Sequence, residues 1–145
     1  MTTITPTAAN VSASEERGAV IMRYLSAVDL VVGNAVYLDS SNLLHKAIGN
    51  TTSAAASAIG IVCSANNFYG ETTILAGQWV TVCIGGPVYG FSGLTDGEPL
   101  WVDKTTAGAL ANAAPSGGAY TYIVGNAQGA DTIFVHPGTG VPTSV

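Results

Sequence analysis

The chain has 145 residues, which is the size of one domain. Only 9% of the residues are charged, against about 25% in an average protein, and the net charge is −5. Four basic residues are too few to follow a phosphate backbone, so the composition excludes nucleic-acid binding by counterion release. The acidic balance also argues against anionic membranes. The N-terminus lacks the basic and apolar regions of a signal peptide, and no apolar stretch is long enough to span a membrane.

The first 17 residues are rich in Thr, Ala and Ser and have no clear hydrophobic period. Such a composition buries too little apolar surface to order itself alone, so we expect an extended N-terminal arm. Its β-branched residues favour extended backbone, and such a segment can add a strand to a neighbour's sheet. The candidate interface residues in the arm are Thr2, Thr3, Ile4, Thr5 and Val11.

Short apolar runs separated by turn-forming residues dominate the rest of the chain. The runs cover residues 19–22, 35–38, 58–63, 79–84, 100–102, 120–124 and 132–135. Gly and Pro clusters between the runs predict turns, among them one at residues 85–87. The longest candidate helix is 52–58, and residues 138–145 have the composition of a flexible tail. The sequence therefore predicts an all-β fold, a small barrel or sandwich.

An internal repeat sharpens this prediction. Residues 30–39 and 94–103 both follow the pattern Leu-x-x-Gly-x-x-apolar-aromatic-apolar-Asp. Each is followed by an apolar run containing Gly and then by a further strand. We therefore expect one β domain over residues 18–137, built from two copies of one β unit at about 30–84 and 94–135. The Gly would form a tight turn, and the Asp would cap the turn after the strand.

The residues needed for catalysis are scarce. No Gly-x-Ser-x-Gly motif occurs, and His45 and His136 have no acidic residue close in sequence to orient them. Asp39 and Asp103 recur in the repeat, and turn capping is the favoured interpretation of both over paired-carboxylate catalysis. The sequence therefore predicts a protein that is not an enzyme, with no catalytic residue.

No spacing of His, Cys or acidic residues matches a metal site, and no glycine-rich stretch matches a phosphate loop, so we predict neither metal nor cofactor. Cys63 and Cys83 lie inside apolar runs. We favour two small buried side chains, and the alternative is one disulfide between neighbouring strands. What remains is binding to other protein, because β edges with little charge need to be covered, most simply by homo-oligomerisation.

Five motifs in order suggest a family. They are Leu-x-x-Gly-x-x-Val-Tyr-Leu-Asp (30–39), Ala-Ile-Gly-Ile-Val (58–62), Ala-Gly-Gln-Trp-Val-Thr-Val-x-Ile-x-Gly (76–86), Gly-x-Pro-Leu-Trp-Val-Asp (97–103) and Ile-Val-Gly-Asn-Ala (123–127). Their order and spacing resemble the head decoration, or capsid cement, proteins of tailed bacteriophages. The resemblance covers Leu30 to Val135 and carries over no catalytic residue.

The resemblance implies a β-rich homotrimer that binds the major capsid protein on the outer surface of the virion, after assembly in the host cytoplasm. It would stabilise the shell against internal pressure. We expect the contact to use the arm together with Gly85, Gly86 and Pro87. The alternative is a carbohydrate- or receptor-binding β module of a virion fibre, which predicts a polar cleft and exposed aromatic side chains at Trp79 and Trp101.

Overall fold

The structure, a computed structural model, describes residues 3–4, 6–65, 72–117, 119–138 and 142–144. The all-β prediction is confirmed. The strands are β1 (Thr3–Ile4), β2 (Ser12–Ala13), β3 (Val20–Ser26), β4 (Leu30–Val31), β5 (Ala35–Leu38), β6 (Leu43–Lys46), β7 (Gly60–Ala65), β8 (Thr73–Ile74), β9 (Trp79–Tyr89), β10 (Pro99–Val102), β11 (Leu110–Ala111), β12 (Tyr120–Thr121), β13 (Ile123–Gln128), β14 (Thr132–Val135) and β15 (Thr143–Ser144). One helical turn, α1 (Ser53–Ala56), lies within the candidate helix, and Thr52 caps it.

Five strands close a barrel in the order β3–β9–β7–β5–β6, with β6 returning to β3. All of these pairs are antiparallel except β3–β6, which is parallel. The strands are rich in β-branched residues that pack well on a pleated surface. The completely buried side chains of the barrel strands include Val36, Leu44, Val62, Val80 and Val82.

The second half of the chain repeats this pairing. In the order β14–β13–β10–β11, its strands match β9–β7–β5–β6 of the barrel. The register matches as well, because Val36 lies opposite Gly60 and Leu100 lies opposite Gly125. The internal repeat of the sequence therefore corresponds to one β unit used twice, which we call the first and second units.

The repeated Gly forms an equivalent turn in each unit. Gly33 has a φ of 102° and Gly97 a φ of 83°, in the left-handed region that favours glycine. Each is the third residue of a turn closed by a backbone hydrogen bond between the first and fourth residues. The fourth residue, Asn34 or Glu98, also accepts a hydrogen bond from the first N–H through its side chain.

The turn predicted at residues 85–87 is wrong, because these residues continue β9. Gly85 pairs with β3, whereas Gly86 and Pro87 pair with β14. Here one long strand leaves the barrel and enters the second unit. Gly86 has a φ of 87°, and a Cβ on it would lie 2.4 Å from the carbonyl oxygen of Gly18. The glycine thus permits a change of direction within a strand, a known use of Gly in sheets.

Both predicted terminal extensions pack on the body of the chain. In the N-terminal segment, β1 pairs with β11 and β2 pairs with β9. In the C-terminal segment, β15 pairs with β12. Backbone pairing compensates for the low apolar content of both segments.

Candidate interaction surface

The predicted interface residues do not form one exposed patch. Ile4 and Val11 are buried against the chain's own core, and Gly86 and Pro87 are buried within β9. In this conformation these four residues cannot touch a partner. Thr3 and Gly85 are half-buried, and Thr2 and Thr5 lie outside the described residues.

Glycines make room for the N-terminal segment. A Cβ on Gly90 would lie 1.9 Å from the carbonyl oxygen of Asn10, and a Cβ on Gly33 would lie 2.7 Å from the Pro6 ring. Both glycines also have positive φ angles. The segment therefore crosses positions where only glycine fits, and the body of the chain is shaped to receive it.

A hydrogen bond joins the start of the segment to the second unit. The Thr3 hydroxyl donates to Asp103 Oδ2 at 2.6 Å. Asp103 Oδ1 accepts from the Thr105 and Thr106 N–H groups and from the Thr105 hydroxyl. Burial of Asp103 opposes ionisation, but the hydrogen bond from Thr3 and those from residues 105 and 106 outweigh it. The pKa of this carboxyl therefore lies below its ordinary value.

The equivalent carboxylate of the first unit has a histidine partner. Asp39 Oδ2 lies 2.8 Å from His45 Nε2, and Tyr37 stacks on the imidazole with 5.3 Å between ring centroids. The hydrogen bond from His45, followed by the backbone N–H of Leu43, lowers the pKa of Asp39. This pair is not evident from the sequence, because hairpin β5–β6 brings together residues six positions apart.

Both aspartates cap the turn that follows their strand, as the favoured interpretation of the repeat predicts. Asp39 Oδ1 accepts from the N–H groups of Ser41 and Leu43, just as Asp103 does from its own turn. The two carboxylates belong to different units and share no hydrogen-bond partner among the described residues. Their recurrence is thus explained by backbone capping.

The two cysteines are buried and not bonded to each other. Burial raises the pKa of the Cys63 thiol to about 12 and also raises the pKa of Cys83. Cys63 lines a cavity of about 300 Å³ under the N-terminal segment, together with Ala8, Val11 and Val32. The prediction of two small buried side chains fits this arrangement.

Exposed apolar side chains concentrate on two paired strands. Within the described ranges, the large apolar side chains that remain exposed are Val20, Met22, Leu75, Trp79 and Phe134. Val20 and Met22 lie on β3. Trp79 is the first residue of β9, and β9 pairs with β3. The Arg23 guanidinium lies over the Trp79 ring at 6.0 Å from its centroid. We call these four residues along the β3–β9 pair the β3 patch; Arg23 and Trp79 lie on one face of the pair, and Val20 and Met22 lie on the other.

One edge of β3 is open beside the patch. On one side β3 pairs with β9 from Val20 to Leu25. On the other side it pairs with β6 only at Leu25 and Ser26. No strand in the described part of the chain covers the outer edge of residues 20–24, so its outward backbone groups are open to a partner.

The sugar-binding alternative depends on Trp79 and Trp101, and these two residues differ in exposure. Trp79 is 49% exposed, whereas Trp101 is half-buried between β11 and β13. The cavity under the N-terminal segment is lined by small and hydroxyl-bearing residues and by no described aromatic ring. Trp79 does not line this cavity and lies at the start of β9, opposite Leu25 of β3.

Two kinds of feature are absent from the described residues. They contain no group of three or more His, Cys, Asp or Glu side chains placed to hold a metal ion. They also contain no helix with the length and hydropathy to cross a membrane.

A comparison with models of known protein families finds no match. A comparison with curated proteins finds no match either.

Proposed function

We propose that the chain is a structural decoration protein that binds the outside of a phage capsid as a homotrimer and stabilises the shell. The observation that carries the homotrimer part of the proposal is the β3 patch beside an open strand edge. Exposed apolar side chains and unpaired backbone groups are the means by which β proteins bind other proteins. The motif resemblance between Leu30 and Val135 supplies the class of partner, the major capsid protein.

The rest of the described surface fits a passive binding role. Several of its carboxylates accept hydrogen bonds from backbone N–H groups, as in Asp29, Asp39 and Asp96. The low charge permits close contact with a protein surface at little desolvation cost. A trimer bridging several shell subunits would add contacts that must break before the subunits separate, and its linked sites would act at high effective concentration.

The test is cosedimentation with shells of the phage that carries the gene. Purified protein is mixed with expanded and with unexpanded shells, and bound protein is measured after pelleting. Saturable binding to expanded shells, with bound protein raising their melting temperature, supports the proposal. Equal background pelleting with both shells and with albumin-coated beads would contradict it.

The second candidate is a carbohydrate- or receptor-binding module, favoured by the exposure of Trp79 alone. A ring of this kind can stack on a sugar face. Binding on a glycan array that is lost in Trp79→Ala and retained in Leu75→Ala would favour this candidate. The Leu75 variant is a matched control because its side chain is 55% exposed and aliphatic.

A further inference from the structure

The two units differ at one equivalent strand edge. The carbonyl group of Cys83 faces Gly60, and that of Phe134 faces Gly125. Cys83 and Phe134 therefore occupy equivalent positions in the two units. One residue earlier, Val82 lies opposite Met22 and Ile133 lies opposite Val88. Met22 of β3 is therefore the equivalent of Val88 in β9.

The equivalent edge is covered in the second unit and open in the first. Ala13 of β2 lies opposite Val88 on its outer side, and Val88 is completely buried. Met22 has no described strand on the corresponding side, and its side chain is 46% exposed. In the second unit, β2 thus covers the edge that corresponds to the open edge of β3.

The arginines near the open edge of β3 favour an acidic partner at that edge. Two of the four cationic residues lie on or just before β3, Arg23 within the strand and Arg17 three residues before its start, and neither forms an ion pair with a described carboxylate. Their guanidinium groups lie instead over the rings of Tyr89 and Trp79. An acidic surface would neutralise both, and a second copy of this chain carries a net charge of −5.

The acidic side chains of that second copy are grouped in what we call the acidic turns, Asp96, Glu98 and Asp131. A hydrogen bond of 2.8 Å from the Gly129 N–H to Asp96 Oδ1 holds the two turns together. Asp96 and Asp131 are exposed, and residues 91–98 and 129–131 contain no cationic residue. The acidic turns therefore complement the arginines beside β3.

We infer that the open edge of β3 is the contact between copies of this chain, and that it receives the acidic turns of the next copy. Two β3 edges pairing with each other would bring four arginines together, which like-charge repulsion disfavours. A head-to-tail contact joins opposite charges, and such contacts form a ring when the rotation between successive copies closes, as the proposed homotrimer requires. The inference rests on the proposed homotrimer and assigns the surface that builds it.

The first test is sedimentation equilibrium at micromolar concentration with the full chain. Wild type is expected at about three times the monomer mass, and Met22→Glu at the monomer mass, because a carboxylate would be placed against the acidic turns of the next copy. Leu75→Glu is the matched control and should remain trimeric. Circular dichroism and thermal unfolding verify that each variant is folded, and Val20→Glu is a second variant at the same edge. A Met22→Glu or Val20→Glu protein that stays trimeric would overturn the inference.

A charge exchange tests the partner surface. Arg23→Glu and Asp131→Arg should each weaken assembly by about tenfold, which is about 1.4 kcal/mol, and the double variant should recover much of the loss. A double variant no better than Arg23→Glu would overturn the pairing with the acidic turns. Shell binding is measured separately, so a trimer that fails to bind shells refutes the proposed function and leaves this contact standing.

Discussion

Gly60 and Gly125 each lie against the backbone carbonyl group of an equivalent residue in the two units. A Cβ on Gly60 would lie 2.1 Å from the carbonyl oxygen of Cys83, and one on Gly125 would lie 2.2 Å from that of Phe134. Each glycine therefore lets the backbone of the following strand approach more closely than any side chain would permit. This shared requirement explains why a glycine stands in the middle strand of each unit.

Gly60→Ala and Gly125→Ala are each expected to lower the free energy of unfolding by about 2 kcal/mol or more, because backbone would have to move. Gly85→Ala is the matched control, since the atoms nearest to its Cβ would be 3.8 Å away. Urea unfolding followed by circular dichroism measures all three. Equal stability of the Gly60 and Gly85 variants would contradict the close-approach explanation.

Asp103→Asn is expected to lower the unfolding free energy by about 2 kcal/mol at neutral pH, because a buried carboxylate loses charge-assisted hydrogen bonds. The folded-state pKa of Asp103 lies below the unfolded value of 3.8, so its contribution is fully present above that pH. It is lost as the pH falls through the folded pKa. Unfolding curves of wild type and variant should therefore converge in acid.

Asp39→Asn is the control for this effect, because Asp39 makes the same kind of turn cap with its side chain 30% exposed. Solvent screens its interactions, so we expect a smaller loss. A loss at Asp39 that equals or exceeds the loss at Asp103 would argue against burial as the reason for the difference.

Both thiols are expected to resist modification in the folded protein. Burial keeps Cys63 protonated, with a pKa of about 12, and thiolate is the reactive form. A thiol-reactive disulfide reagent should label the native protein slowly and the urea-unfolded protein fast. Since the unfolded thiol titrates near 9.0, stability should fall as the pH rises above that value.

Removal of residues 2–17 is expected to lower the melting temperature and to accelerate labelling of Cys63, because the segment covers the cavity that this thiol lines. Ile4 and Val11, which lie in the core cluster, would be lost as well. Thr3→Val, which removes only the hydroxyl that donates to Asp103, should leave Cys63 protected. Unchanged labelling after truncation would mean that the segment does not protect the thiol.

The same truncation tests whether the segment grips a shell, as the sequence analysis expects. Loss of shell affinity by about tenfold or more, with the β spectrum kept, would support that role. Because β1 and β2 pair within the chain, a segment that reaches a partner must first leave these strands. Unchanged occupancy on shells would assign the grip to the β body.

The fold class and the repeat could be predicted because they rest on local patterns. The alternation around Val80 and Val82 and the Gly and Asp of each unit report strands and turns directly. Turn capping by Asp39 follows from the same patterns. These features depend on residues close to one another in sequence.

The features that the sequence analysis missed depend on pairing between distant segments. Gly86 and Pro87 have turn-forming composition, but β14 pairs with them and makes them part of a strand. Ile4 and Val11 look isolated in a polar segment, and only the fold reveals the core that they enter. The open edge of β3 could not be predicted from the sequence either, because it depends on which strands pair with β3 in the fold.

The strand β9 links the stability of the two units. Its first part belongs to the barrel and its last part pairs with β14 of the second unit. If either unit unfolds, it releases part of β9. The other unit also pairs with β9, so it would be destabilised as well. We expect calorimetry to give a single two-state transition, with equal calorimetric and van't Hoff enthalpies, even though the architecture is a tandem duplication. Hydrogen exchange should be slowest along β9, since its amides open only when the whole molecule unfolds.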